Sequence, residues 1–317
     1  LFYSNYYKPS QKIYLVGFPL VYLVTLISIL LALLLTIIAL LMVFSILVAG
    51  KIVKPQRIIL SWTPRDLGFE YEDFIYKTRD GVDLRGWLVK GSGEKAIVLI
   101  HGLNSSKWDE YCIKPAMKVL GERGYSVLVV DMRAHGVSGG EITTLGYRES
   151  DDVAGIVNIL RSRGFKKIAI YGFSMGGAIL IITATKTLVD AVIVDSPYVN
   201  IVSSGRRLVS RIKGLVGYIL RLSYPLVVKI VEARVGFSLG ELMITMYAKR
   251  VKAPVLMMAP LRDHLMTVDE YKALYEELKK SSPTVEAWFV DSKHVEAWQR
   301  HSSEYVERLL NFLSRYV

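Results

Sequence analysis

The chain opens on a run of 38 positions, 13–50, with no charged residue. As a helix this run would extend about 57 Å, against a bilayer hydrocarbon core of about 30 Å. Its uninterrupted centre, 20–48, is long enough to cross once with tilt. The part before Pro19 is expected at the interface, with Tyr14 and Tyr22 as aromatic anchors. A second crossing needs a turn, and 28–47 holds no Gly, Pro, Asn or Asp. The apolar region of a cleavable signal is shorter, so a retained single-pass anchor is expected.

Past a basic linker containing Pro55 and Pro64, the period changes. Phe74-Ile75-Tyr76, a turn at Asp80-Gly81, and Leu84-Arg85-Gly86-Trp87-Leu88-Val89 predict an antiparallel hairpin. The continuous apolar run 96–100 has the character of a strand buried on both faces. Then follow a helix over 111–123, a strand over 126–130, a helix over 149–163, a strand running up to Ser174, and a helix containing 178–182. Further strands are expected at 191–194, 255–258 and 285–290, with a helix between the last two and a closing helix over 295–316. This alternation predicts an α/β protein with a doubly wound, mostly parallel sheet and an antiparallel edge at its start.

Between Pro197 and Pro254 the alternation stops. Leu208, Ile212, Leu215, Ile219 and Leu222 fall at helical spacing, with Arg207 and Arg211 on the opposing side. Tyr224-Pro225 is expected to end that helix, and a second apolar helix to follow. The chain therefore divides into a membrane anchor (1–55), a catalytic domain (56–199 and 253–317) and an inserted lid (200–252).

Charge sharpens the reading of the lid. The whole chain carries a net +11, and 200–252 holds ten Lys or Arg against Glu232 and Glu241. A basic, amphipathic insert in a chain with an apolar anchor is expected to lie against the lipid bilayer. Nucleic acid is not an expected partner, because no binding motif and no aromatic platform accompanies the charges. Apolar residues make up 52% of the chain, and mean hydropathy is +0.33, high for a soluble protein. Lys8 and Lys12 before the span and Lys51, Lys54 and Arg57 after it give a slight bias towards a cytoplasmic catalytic domain. Cys112 is the only cysteine, so there is no disulfide framework and no thiolate metal site. Gln and Asn are scarce, as in thermophile proteins.

The candidate chemistry centres on Gly172-Phe173-Ser174-Met175-Gly176-Gly177, a serine between an apolar strand and a helix. The glycines leave room for a tight turn that exposes the hydroxyl. After the first buried strand stands His101-Gly102-Leu103-Asn104. In an acyl-transfer site the amides of Leu103 and Met175 would bind the developing oxyanion. After the penultimate strand stands Pro260-Leu261-Arg262-Asp263, and after the last, Ser292-Lys293-His294. The order Ser174, Asp263, His294 gives nucleophile, acid and base, each just beyond a strand's carboxyl end.

With these pieces, and Asp131-Met132-Arg133-Ala134-His135-Gly136-Val137-Ser138, the region 69–317 resembles an α/β-hydrolase-fold serine hydrolase. The likeness is nearest to membrane-anchored esterases and lipases. Two positions depart from the family pattern: Ala134 and Pro260 stand where it usually has glycine. The resemblance implies hydrolysis of lipophilic acyl esters, monoacylglycerols among them, through an acyl-enzyme, with no metal or cofactor needed. A membrane serine peptidase, a thioesterase and an acyltransferase use the same apparatus, and a non-catalytic scaffold has no need of it. Asp195 and, more weakly, Asp269 compete for the acid's place. His101, His135, His264 and His301 compete for the base's. Asp131 and Glu149 read as structural.

Overall fold

The computed structural model describes residues 14–317, with side chains from Leu20 onward. Lys8 and Lys12, which bear on orientation, and the side chain of the expected interfacial anchor Tyr14 lie outside the described residues. One helix, α1 (Tyr14–Val53), carries the apolar run. From Leu20 it is long and apolar enough to cross a membrane, and its most apolar stretch is fully exposed. Its last three turns behave differently. Ser45, Ala49 and Val53 are buried, Val48 and Ile52 pack against the domain core, and the Thr143 amide donates to the Val53 carbonyl at 2.8 Å. The positions 45, 49 and 53 recur every fourth residue and so share one helix face.

The domain follows as β1 (Tyr71–Lys77), β2 (Asp83–Val89), β3 (Lys95–Ile100), α2 (Ile113–Glu122), β4 (Ser126–Asp131), α3 (Tyr147–Ser162), β5 (Lys167–Phe173), α4 (Met175–Thr183) and β6 (Ala191–Asp195). The insert supplies α5 (Ile201–Ser210), α6 (Gly214–Val235) and the short α7 (Thr245–Ala248). The chain closes with β7 (Val255–Pro260), α8 (Val268–Lys279), β8 (Val285–Val290), α9 (Ala297–Arg300) and α10 (Ser302–Tyr316). The eight strands form one sheet in the order β1-β2-β4-β3-β5-β6-β7-β8. The expected hairpin pairs Tyr71 with Val89 through Lys77 with Asp83, β2 meets β4 antiparallel, and all later pairs are parallel.

Alternation along each central strand sorts its side chains between two cores. Val98, Ile100, Ile170, Val192, Val194 and Met257 face the layer that holds α3, α4 and α8 together with the end of α1 and half of α6. Ile97, Leu99, Tyr171, Ile193, Leu256 and Met258 face α2 and α10.

Two element boundaries differ from the sequence expectation. The insert does not break at Tyr224-Pro225; α6 runs straight through Pro225. The break falls instead at 211–213, where Gly214 at φ 74° turns the chain and the Arg221 guanidinium donates to the Ile212 carbonyl at 3.0 Å. Around Pro225, Tyr224 Oη donates to the Val202 carbonyl at 2.6 Å, so packing on α5 holds the helix where the proline removes one of its own bonds. The expected closing helix is likewise divided. His301, at φ −134° and ψ 43°, separates α9 from α10 while its ring lies 5.9 Å edge-on from Trp288.

Candidate active site

The sharp turn between β5 and α4 puts Ser174 at φ 52° and ψ −114°, a region that non-glycine residues rarely occupy. The flanking glycines make this turn possible. A Cβ on Gly172 would sit 2.6 Å from the Gly176 carbonyl carbon, and one on Gly176 would run into the Ile100 carbonyl. The turn is fixed to the neighbouring strand by the Ser174 amide, which donates to the Asp195 carbonyl at 2.8 Å.

Two loops from the far end of the sheet reach this serine. His294, in the loop after β8, has Nε2 at 2.8 Å from Ser174 Oγ and Nδ1 at 2.7 Å from Asp263 Oδ2. Asp263, in the loop after β7, is itself held at both oxygens. Oδ1 accepts from the Leu265 and Met266 amides at 2.7 and 3.2 Å, and Oδ2 also accepts from Tyr271 Oη at 2.6 Å. Its side chain is fully buried, and that of His294 is 10% exposed. Burial pushes the Asp263 carboxyl up, but the His294 hydrogen bond and charge, with Tyr271 and the Leu265 amide, hold it below its ordinary value. A carboxylate that stays ionised keeps the proton of His294 on Nδ1 and leaves Nε2 free to accept one.

The rival side chains are otherwise engaged. Asp195 is buried, with Oδ1 accepting from Ser196 Oγ at 2.6 Å and Oδ2 from Tyr305 Oη at 2.8 Å. Burial raises its pKa. Asp269 lies in the exposed first turn of α8. His101 accepts from the Met132 amide at Nε2, 3.0 Å, and donates from Nδ1 to the Gly102 carbonyl, 2.7 Å. Burial keeps it neutral, and burial together with His101 pushes His135 down to about 3. His264 packs edge-on 5.9 Å from the His294 ring, and His301 points to the Asp291 carbonyl at 3.3 Å.

The loop after β3 passes close over the serine: a Cβ on Gly102 would lie 3.4 Å from Ser174 Cβ. The Leu103 amide follows directly, and Met175 opens α4, where first-turn amides lack intrahelical acceptors. Among the described residues no cluster of three His, Cys, Asp or Glu could hold a metal ion.

Three supporting residues escape sequence reading. Ser196, at φ 52°, donates to Asp195 and accepts from the Val295 amide at 3.0 Å, tying the histidine loop to the end of β6. Val295 is also at φ 52°. Tyr271 lies one turn into α8 and carries no motif that would point to the acid.

A strand–elbow–helix serine bonded to a histidine and a buried aspartate on a β1-β2-β4-β3-β5-β6-β7-β8 sheet defines a hydrolase architecture. The chain belongs to the α/β-hydrolase family, whose sequence profile matches residues 95–214. It is similar to the Pyrococcus furiosus esterase Pf2001, with 32% identity, 83% of this chain and 99% of that one covered, and a TM-score of 0.73. It is also similar to the Bacillus subtilis protein YqkD, 25% identical over 259 residues, which are 76% of this chain and 78% of that protein. The fold is shared with the Pyrococcus horikoshii acylaminoacyl peptidase at 24% identity and a TM-score of 0.62, covering 78% of this chain and 42% of that one.

Proposed function

We propose that this chain is a membrane-anchored serine hydrolase that cleaves lipophilic carboxylic esters. The observation that carries the reading is the unbroken line Ser174 Oγ to His294 Nε2 to Asp263 Oδ2, at 2.8 and 2.7 Å. In the first half of the reaction, His294 takes the proton of Ser174 as Oγ attacks the ester carbonyl, and Asp263 stabilises the imidazolium. The Leu103 and Met175 amides hold the oxyanion. His294 then passes its proton to the departing alcohol. Water attacks the acyl-enzyme by the same route and releases the acid. The likeness to an esterase at 32% identity supports ester bonds over peptide bonds.

The membrane part of the proposal is supported by two features. The exposed apolar length of α1 fits one crossing, and Leu208, Leu215, Val216, Tyr218 and Leu222 of the lid are exposed. Removal of α1 as a signal peptide would take Ser45, Ala49 and Val53 out of the core, which supports a retained anchor. Lys51, Lys54 and Arg57 after the span, against Lys8 and Lys12 before it, give only a slight bias of the catalytic domain towards the cytoplasmic side.

The test is a chain-length series of p-nitrophenyl esters and monoacylglycerols beside a peptide substrate. Ser174→Ala is expected to lower kcat by about 10⁵-fold or more with the fold unchanged by circular dichroism. Retained turnover in that variant sinks the nucleophile. A rate peak at short soluble acyl chains counts against lipophilic esters, and peptide cleavage alone overturns the ester reading.

A further inference from the structure

Next to the acid–histidine end of the site is an open cavity of about 560 Å³. The end of the lid helix contributes Leu208, Arg211 and Ile212, the loop after β7 contributes Arg262, Asp263 and His264, and the loop after β8 contributes Lys293. Arg262 and Lys293 each directly precede a member of the Ser–His–Asp line in sequence, so two of these cations are fixed by the same loops that fix Asp263 and His294.

The cavity's position relates it to one half of an ester. His264 packs against His294, the group that hands a proton to the departing alcohol. The Leu103 and Met175 amides lie instead on the carbonyl side. With the proposed roles of these groups, a cavity beside His294 is on the side from which the alcohol departs.

Three cations, Arg211, Arg262 and Lys293, line it beside one carboxylate, Asp263, which is already bonded to His294 and Tyr271. Arg262 pairs with Asp291 at 2.6 Å. Lys293 stands 3.8 Å from Glu296, which is also taken by Arg300 at 3.0 Å. Arg211 makes no side-chain hydrogen bond or ion pair among the described residues, and its charge is felt at His264. An unpaired guanidinium at the mouth of an apolar and cationic cavity matches a phosphate, which accepts two parallel hydrogen bonds from one arginine.

Resting on the proposed ester hydrolysis, we infer that this cavity selects esters whose alcohol carries a phosphate, with Arg211 as the specificity-determining contact. The favoured substrates are then 1-acylglycerol 3-phosphates over the neutral monoacylglycerols of the same acyl chain. Arg262 and Lys293 add to the field, and Leu208 and Ile212 pack against the glycerol carbons.

The experiment compares both substrates at two acyl lengths, octanoyl (a monomeric, soluble ester) and palmitoyl (presented in mixed vesicles with neutral lipid). The full chain in detergent or vesicles is used, and released fatty acid is measured. The expected wild-type ratio of kcat/KM, phosphorylated over neutral, is about tenfold at both lengths at low salt. In Arg211→Ala this ratio falls towards one, mainly through KM, and Arg211→Lys restores part of it. Arg206→Ala, which removes a lid charge that does not line the cavity, is expected to keep the ratio. A wild-type ratio of one, or a ratio unmoved by Arg211→Ala, overturns the inference. An equal fall in Arg206→Ala also overturns it, since the preference would then come from the basic surface as a whole. A preference seen only with palmitoyl vesicles would likewise assign it to the surface. Failure to hydrolyse either ester at either length overturns the ester reading itself, whereas hydrolysis of the neutral ester with a ratio of one removes only the phosphate contact.

Discussion

Asp195 ends β6 and Asp263 lies three residues past the end of β7, and both carboxylates are buried, yet their partners give them different work. Asp263 shares one oxygen between His294 and Tyr271, while Asp195 is used up by Ser196 and Tyr305. Asp263→Asn is expected to cut kcat by about 10³–10⁴-fold with little loss of stability, because the amide favours the wrong histidine tautomer. Asp195→Asn leaves one of two hydroxyl donors without an acceptor. It is expected to cost about 1–3 kcal/mol in urea unfolding, and less in kcat than the change at Asp263. A larger activity loss at Asp195 would reverse the two roles. Ala134 supplies a second residue-scale test. It stands where the family usually has glycine and is held at φ 63°, a left-handed conformation that an alanine adopts at a cost. Ala134→Gly is expected to raise stability by about 0.5–1 kcal/mol, read from the denaturation midpoint.

That Ser174, Asp263 and His294 meet could be read at this scale because each occupies a fixed place just past a strand end, which an apolar run locates well. Ser196 and Tyr271 could not, since nothing in the spacing of residues 190–200 or 263–271 reports which side chains meet across loops. Nor does Pro260 disturb the acid loop. It ends β7 paired with Val290, with the Leu261 amide bonded to the Val290 carbonyl at 2.8 Å, so the turn to Asp263 begins after it.

At the scale of elements, the strands were legible and the helix ends were not. A period of two and continuous buried runs fix the sheet, including its antiparallel edge, because side chains on both faces must be apolar. The breaks at 211–213 and His301 depend on contacts with Arg221, Trp288 and Asp291, residues remote or ambiguous in the linear pattern. The packing of α1 on α6 was equally hidden, since an unbroken apolar run gives no sign of which of its turns pack on protein. The Gly50–Arg234 approach lies on this contact: a Cβ on Gly50 would meet Arg234 Nη1 at 2.9 Å. Burial along α1 should therefore decide the effect of the same kind of truncation. Val53→Ala, fully buried, is expected to cost about 2 kcal/mol. Leu31→Ala, on the exposed stretch, is expected to stay within about 0.5 kcal/mol when measured in detergent. Equal costs would mean that the end of α1 does not belong to the domain.

For the whole molecule, paired carboxylates and one buried histidine set the response to acid. Asp263 is held low as described, and Asp80 is held low by hydrogen bonds from Arg133 and Thr78. A carboxyl with a folded pKa below its ordinary value near 3.8 adds stability above that value and loses it as pH falls through the lower one. The stability these two carboxylates add is expected to be lost below about pH 4, while His135, whose value falls from 6.5 to about 3 in the fold, is expected to make the unfolding midpoint decline already below about pH 6.5. A chain with net +11 has few carboxylates to spare, and each one protonated adds to the repulsion among its cations.

The seat of α1 on the domain also has a consequence in time. Ala49 and Val53 are among the earliest residues of the domain core to be made, and the helix that covers them ends at Val235. At ribosomal speeds of about 5–20 residues per second, roughly 10–40 seconds pass between the two. The first-made piece of the core thus stays uncovered while β1 to β6 are made, and can be covered before β7 and β8 emerge. Until α6 emerges, that face of α1 stays open at the ribosome, and whatever covers it meanwhile must let go before α6 can seat.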